Sequence, residues 1–123
     1  MYLLDTHVLL WWFNDPARLT PKARGVIEDG ASTVFVSSAS TWEIVIKRSL
    51  GKLVAPDRIF DLVETYFSEL PITITHTKAL ANLNRLHDDP FDRLLIAQAL
   101  ADRLTLITSD KRIRQYDVRT LAA

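Results

Sequence analysis

Apolar residues fall in short runs bounded by turn and capping residues, and the runs alternate between strand length and helix length. Tyr2-Leu3-Leu4 reads as a strand without polar alternation, ended by Asp5-Thr6. Such a strand suits a parallel sheet covered on both faces. Val8 to Phe13 continues as a short, greasy helix closed by Asn14-Asp15-Pro16. Leu19 to Asp29 reads as a second helix, with Thr20 as N-cap, Pro21 at the first helical position and Gly30 as the stop. Thr33 to Val36 is the second strand. It leads through Ser37-Ser38-Ala39-Ser40 into a helix from about Thr41 to Leu50, with Gly51 as its C-cap. Pro56 to about Glu69 is a further amphipathic helix, starting at Asp57. Leu70 to Ile74 reads as a third strand with Pro71 near its start, where a missing N–H is tolerated. Thr77 to Leu86 is again helical.

The next stretch, His87-Asp88-Asp89-Pro90-Phe91-Asp92-Arg93 followed by Leu94 to Ala101, predicts a charged loop that turns into a buried helix reaching Asp102 or Arg103. Asp89 is the expected N-cap, Pro90 the first helical residue and Asp92 the third. Phe91 and Leu94-Leu95-Ile96 anchor that helix, and Asp88 is a bystander. Leu104 to Thr108 is the fourth strand, Ser109-Asp110 opens a short helix to Tyr116, and Val118 to Leu121 is a candidate edge strand. Strands separated by helices of this length imply right-handed crossovers and a three-layer α/β/α sandwich around a mainly parallel sheet.

Composition narrows the class. The 123 residues suit a single domain spanning 1–123. Cysteine is absent, which excludes disulfides and thiolate chemistry. No basic leader or long apolar span opens the chain, so a soluble, cytoplasmic protein is expected. Fifteen basic and fifteen acidic residues cancel. Any contact with nucleic acid is therefore local, or completed by metal ions or another subunit.

In a parallel sheet the functional crevice lies beyond the C-terminal strand ends. Asp5 ends the first strand, Glu43 lies near the start of the helix after the second, Asp92 sits on the first turn of the helix after His87, and Asp110 follows the fourth strand. Gathered at one edge, four carboxylates repel unless cations are present. Hard divalent ions, Mg²⁺ or Mn²⁺, match carboxylate oxygens. The three histidines, His7, His76 and His87, have no zinc-ligand spacing. An ion so held suits phosphodiester hydrolysis by activated water, with Glu43 at a second ion or orienting the water.

Each residue also has a structural reading. Ser40 and Glu43 have the spacing of a capping box, and Lys47 lies one turn beyond Glu43 as an i,i+4 partner worth ~0.3–0.5 kcal/mol. Thr6 and Ser109 either orient the neighbouring acids or cap helices. Arg93 and Lys47 either neutralise an acid or steady a phosphate. His87 structures its loop, and His7 lies close to Asp5. Trp11-Trp12-Phe13 and the helix from Ile59 to Phe67 either complete the core or form a partner surface.

The runs Leu4-Asp5-Thr6-His7-Val8-Leu9-Leu10-Trp11, Val36-Ser37-Ser38-Ala39-Ser40-Thr41-Trp42-Glu43-Ile44, His87 to Ala99, and Thr108-Ser109-Asp110 together resemble the PIN domain family, and within it the VapC-type ribonuclease toxins of bacterial toxin–antitoxin pairs. The Asp89-Pro90-Phe91-Asp92-Arg93 run is the specific signal. The resemblance implies strand order 3-2-1-4-5, with Asp5, Glu43, Asp92 and Asp110 as metal-binding acids and Thr6 and Ser109 as their polar neighbours. It further implies Mg²⁺- or Mn²⁺-dependent endonucleolytic cleavage of RNA, a homodimer and a small cognate antitoxin covering the site.

Three rivals remain open from the sequence. One is a PIN-like binding module with little or no catalysis, which the complete acid set argues against. Another is a solitary PIN nuclease without an antitoxin, which the motifs do not separate from a toxin. The third is a phosphotransfer domain on a similar sheet. A dehalogenase-like phosphatase needs a second aspartate two positions after the first, where this chain has His7.

Overall fold

The computed structural model describes residues 1–123. Strands β1 (Tyr2–Leu4), β2 (Val34–Ser37), β3 (Ser68–Leu70), β4 (Thr105–Thr108) and β5 (Thr120–Ala122) form one sheet in the order 3-2-1-4-5. Every neighbouring pair is parallel, with Leu4 opposite Ile107 and Val36 opposite Glu69. Helices α1 (Thr6–Asn14), α2 (Pro21–Glu28), α3 (Ser38–Ser49), α4 (Ile59–Tyr66), α5 (Ile74–Ala81) and α6 (Pro90–Asp102) cover the sheet. None is long and apolar enough to cross a membrane.

The strands alternate between two cores, as a sheet buried on both faces requires. Leu4, Val34, Val36 and Ile107 pack with Val8 and Leu9 of α1, Ala23 of α2, Ile44 of α3, and Ile59 and Val63 of α4. Leu3, Leu70 and Leu106 pack on the opposite side with Leu94, Leu95, Ile96 and Ala99 of α6. Trp11, Trp12 and Phe13 are partly buried against the first core. α4 buries Ile59 and Val63 while Phe60 and Tyr66 stay exposed.

Several boundaries differ from expectation for identifiable reasons. The third strand runs Ser68–Leu70 rather than Leu70–Ile74. Pro71 cannot extend the ladder, and Ile72 and Ile74, which look strand-like, are exposed. Thr73 then caps α5 by a reciprocal box: its hydroxyl accepts from the His76 N–H, and its own N–H donates to His76 Nδ1 at 3.1 Å. That helix accordingly starts three residues before the expected Thr77 and ends at Ala81, not Leu86. α4 is trimmed to Ile59–Tyr66 because Phe67 is already extended on the way into β3. Beyond β4 only a turn of 3₁₀ helix forms, at Ile113–Gln115.

The start of α3 matters for the site. Its N-cap is Ser37, whose hydroxyl accepts from the Ala39 N–H at 2.9 Å, so the helix begins three residues before the expected Thr41. Ser40 is therefore inside the helix. Its hydroxyl accepts from Thr6 Oγ1 at 2.9 Å, and no capping box with Glu43 forms. Gly51, at φ 68°, supplies the left-handed residue that lets the chain leave α3.

Candidate active site

Order 3-2-1-4-5 makes the chain run outward from β1 in both directions, so the topological switch lies between β1 and β4. Asp5 follows β1 directly and is the N-cap of α1. Its Oδ1 accepts from the His7 N–H at 2.7 Å and its Oδ2 from the Thr108 hydroxyl at 2.6 Å. The side chain is almost wholly buried, and burial outweighs those bonds and pushes its carboxyl up. Thr108, the last residue of β4 and fully buried, also accepts the Asp110 N–H at 3.0 Å. One hydroxyl thus ties the acid after β1 to the acid after β4.

Asp92 is carried in by α6. Asp89 accepts from the N–H groups of Phe91 and Asp92 at 2.8 and 3.1 Å, and Pro90 occupies the first helical position, as expected. Burial, then repulsion from Asp89, Asp5, Glu43 and Asp110, pushes the Asp92 carboxyl up to about 8. Asp5, Glu43 and Asp110 thus all lie close enough to Asp92 to repel its charge. A helix dipole favours the ionised form of a first-turn acid, and at Asp92 burial and like charges overcome it.

Asp110 behaves in the opposite sense. Burial raises it, but the Arg112 N–H at 2.8 Å and the Arg112 guanidinium outweigh that and hold it below the usual carboxylate range. Glu43 is buried at 2% exposure, pairs through Oε2 with Lys47, and leaves Oε1 buried with no hydrogen-bond partner. Burial lowers the Lys47 ammonium, and the bond and charge of Glu43, then Asp89 and Asp92, more than restore it, leaving it raised. Trp42 and Phe91, which directly precede two of the acids, meet edge to face at 5.0 Å and hold α3 against α6.

The supporting residues divide. Lys47 engages an acid. The guanidinium of Arg93 instead reaches the Asn84 carbonyl at 2.9 Å, the Tyr116 hydroxyl at 3.3 Å and the Leu83 carbonyl at 3.4 Å, clamping the loop before α6. Thr6 bonds Ser40 and joins α1 to α3, so it does not orient Asp5. Ser109 is exposed, and Thr108 fills the bracing position assigned to it. His7 is largely exposed, with Nδ1 4.0 Å from Asp5.

His87 lies deeper in the site than a loop-structuring residue needs to. Its Nε2 is 2.9 Å from Asp92 Oδ2 and 3.4 Å from Asp110 Oδ2. Ligand atoms of His87, Asp92 and Asp110 all fall within 4.8 Å of one another. The sequence carried a signal for Thr108, a hydroxyl at the buried C-terminal end of β4, but none for the depth of His87.

A set dominated by carboxylate oxygens, strongly self-repelling and with one buried oxygen unpartnered, fits a hard divalent cation. Asp5, Asp92 and Asp110, with Glu43, are the residues that would hold it.

An α/β/α sandwich with acids converging at the strand C-termini defines an acid-site domain on an open parallel sheet. The chain matches the PIN domain over residues 2–119, and it belongs to that family. It is 30% identical over 121 residues to "Ribonuclease VapC22" of Mycobacterium tuberculosis, covering 93% of this chain and 90% of that protein. Among solved structures it is similar to VapBC2 from Rickettsia felis bound to a DNA fragment from its promoter, at 15% identity and TM-score 0.74, over 98% of this chain and 97% of the other. DNA-bound VapBC from Salmonella typhimurium matches at 20% identity and TM-score 0.70, over 98% and 96%. The chain is thus homologous to a protein of the VapC type.

Proposed function

We propose that this chain is a Mg²⁺- or Mn²⁺-dependent endoribonuclease that hydrolyses RNA phosphodiester bonds with water, and that it acts as the toxin of a toxin–antitoxin pair. The observation that carries the reading is the convergence on Asp92 of Asp5, Glu43 and Asp110, each from a different element. Homology to a protein named a ribonuclease, at 30% identity, supports the reaction class.

Asp5 is set for its part by Thr108 and the His7 N–H, which leave its carboxylate little freedom to rotate. Asp92 would be held as a carboxylate against a bound divalent cation, which would offset the repulsion that raises it, and Arg112 holds the Asp110 carboxyl below the usual carboxylate range. Glu43 is neutralised on Oε2 by Lys47, so Oε1 is the free acceptor for a second ion or for a hydrogen of the attacking water. When bound, a divalent ion lowers the pKa of water and stabilises charge on the departing oxygen.

Similarity to VapBC complexes supports a cognate antitoxin as partner; a homodimeric toxin is part of the same proposal. The test is cleavage of single-stranded RNA by the purified protein. Cutting is expected with Mg²⁺ or Mn²⁺, is abolished by EDTA, and falls by at least about 10²-fold in folded Asp5→Asn and Asp92→Asn, the scale on which metal-activated hydrolysis depends on its ligands. Robust cleavage by the folded double variant would sink the mechanism. Growth arrest on expression, relieved by the product of a small adjacent reading frame, tests the toxin role separately.

A further inference from the structure

We propose that His87 is a positioning residue whose Nε2–H clamps Asp92 and Asp110 into one ligand pair, and that its imidazole is not itself a metal ligand. The proposal rests on the metal-centre reading above and deepens it.

The tautomer follows from the hydrogen bonds. Nδ1 accepts the Asp89 N–H at 3.2 Å, which occupies its lone pair and places the ring proton on Nε2. That proton is hydrogen-bonded to Asp92 Oδ2 at 2.9 Å, and the same Nε2 lies 3.4 Å from Asp110 Oδ2. To bind a cation, Nε2 must be bare. The proton would then sit on Nδ1, pointing at another N–H donor 3.2 Å away. The loop geometry selects against that state.

The ring is also held from behind. The His87 N–H and the Leu86 N–H both donate to the Tyr116 hydroxyl at 2.9 Å, and the imidazole is 1% exposed. Asp89, whose N–H donates to the ring's other nitrogen, is the N-cap of α6. The segment that starts the helix bearing Asp92 thus also orients the donor that joins Asp92 to Asp110. A neutral N–H between two carboxylates offsets part of their repulsion without competing for the cation, as outer partners of metal ligands do.

The experiment measures Mn²⁺ binding to the intact protein by calorimetry, with thermal unfolding of each metal-free variant as the fold control. His87→Ala is expected to weaken Mn²⁺ about 10- to 100-fold. His87→Gln, whose amide N–H reaches near the place of Nε2, restores most of the affinity. Pulsed electron paramagnetic resonance of the Mn²⁺-loaded wild type is expected to show no coupling from a directly bound imidazole nitrogen that disappears in His87→Gln. Detection of such a coupling makes His87 a ligand and overturns the proposal. So does wild-type affinity in folded His87→Ala, or loss of binding in folded His87→Gln. If His87→Ala does not fold, His87→Gln and the spectrum decide the question. A wild type that binds no Mn²⁺ overturns the metal-centre reading together with the clamp, whereas binding that the variants leave unchanged overturns the clamp alone.

Discussion

Asp92 and Asp110 face the same imidazole nitrogen yet are displaced in opposite directions, and the reason is who else is near. Asp92 meets four other acids, while Asp110 meets Arg112. In the metal-free fold Asp92 keeps its proton to about pH 8, whereas in the unfolded chain it loses it near 3.8. Between those values the folded state binds more protons, so its contribution is complete below the lower value and is lost as pH rises through the upper one. Asp5, also raised, acts in the same sense. Asp110, lowered, contributes stability that disappears only on acidification below the ordinary carboxylate range. The melting temperature of EDTA-treated protein is therefore expected to fall from about pH 5 to about pH 8. Asp92→Asn flattens much of that fall, and Mn²⁺ at the upper end reverses it. A melting temperature that rises over this range in calorimetry would contradict the account. Thr108 offers a second test. Thr108→Val removes the hydroxyl shared by Asp5 and the Asp110 N–H and should cost about 1–3 kcal/mol in urea unfolding. Ser109→Ala, at an exposed position, should stay within about 0.5 kcal/mol.

At the scale of elements, α6 was readable because its start is chemically local. An acceptor, a proline and an acid in consecutive register determine the helix start without help from the rest of the chain. Where several residues competed for one role, local chemistry was not enough. Ser37, Ser38 and Ser40 are each adequate caps, and only the end of β2 selects Ser37, which turns Glu43 from a capping residue into a buried acid paired with Lys47. β3 failed for another reason: as an edge strand it buries only Leu70 of its three residues, so no alternation marks it, while exposed Ile72 and Ile74 imitate a strand. Asp89 separates two effects within α6. Asp89→Asn keeps the cap and deletes a charge that repels Asp92, so stability should change by less than about 0.5 kcal/mol while the Asp92 titration, followed by carboxyl NMR, moves down. Asp89→Ala deletes the cap as well and should cost about 1 kcal/mol. An unmoved Asp92 titration in Asp89→Asn would show that the Asp89 charge is not among the causes that raise it.

On the scale of the whole molecule, the order of the sheet brings together acids far apart in the chain, two of them, Asp5 and Asp110, following strands β1 and β4 and two, Glu43 and Asp92, carried in by α3 and α6. What no rule of position supplied was the connection among them, since Thr108 and His87 reach their partners through space across β4, α6 and the loop after β4. The charge balance bears on how such a site meets its substrate. Fifteen cations against fifteen anions leave no general attraction for a polyanion, and the acids themselves repel a phosphate. If RNA is the substrate, divalent ions must supply the attraction that a basic face supplies elsewhere. Binding of single-stranded RNA to a variant that keeps all four acids, with Ca²⁺ replacing Mg²⁺ to suppress cleavage, should strengthen with the divalent ion. At fixed divalent concentration it should weaken only shallowly with added KCl, with a logarithmic slope of about −1 to −2, equivalent to two or three phosphate contacts at most. A steep slope in fluorescence anisotropy, or tight binding in EDTA, would place the main RNA contact on a basic surface away from the acids and leave the metal centre only the cutting step.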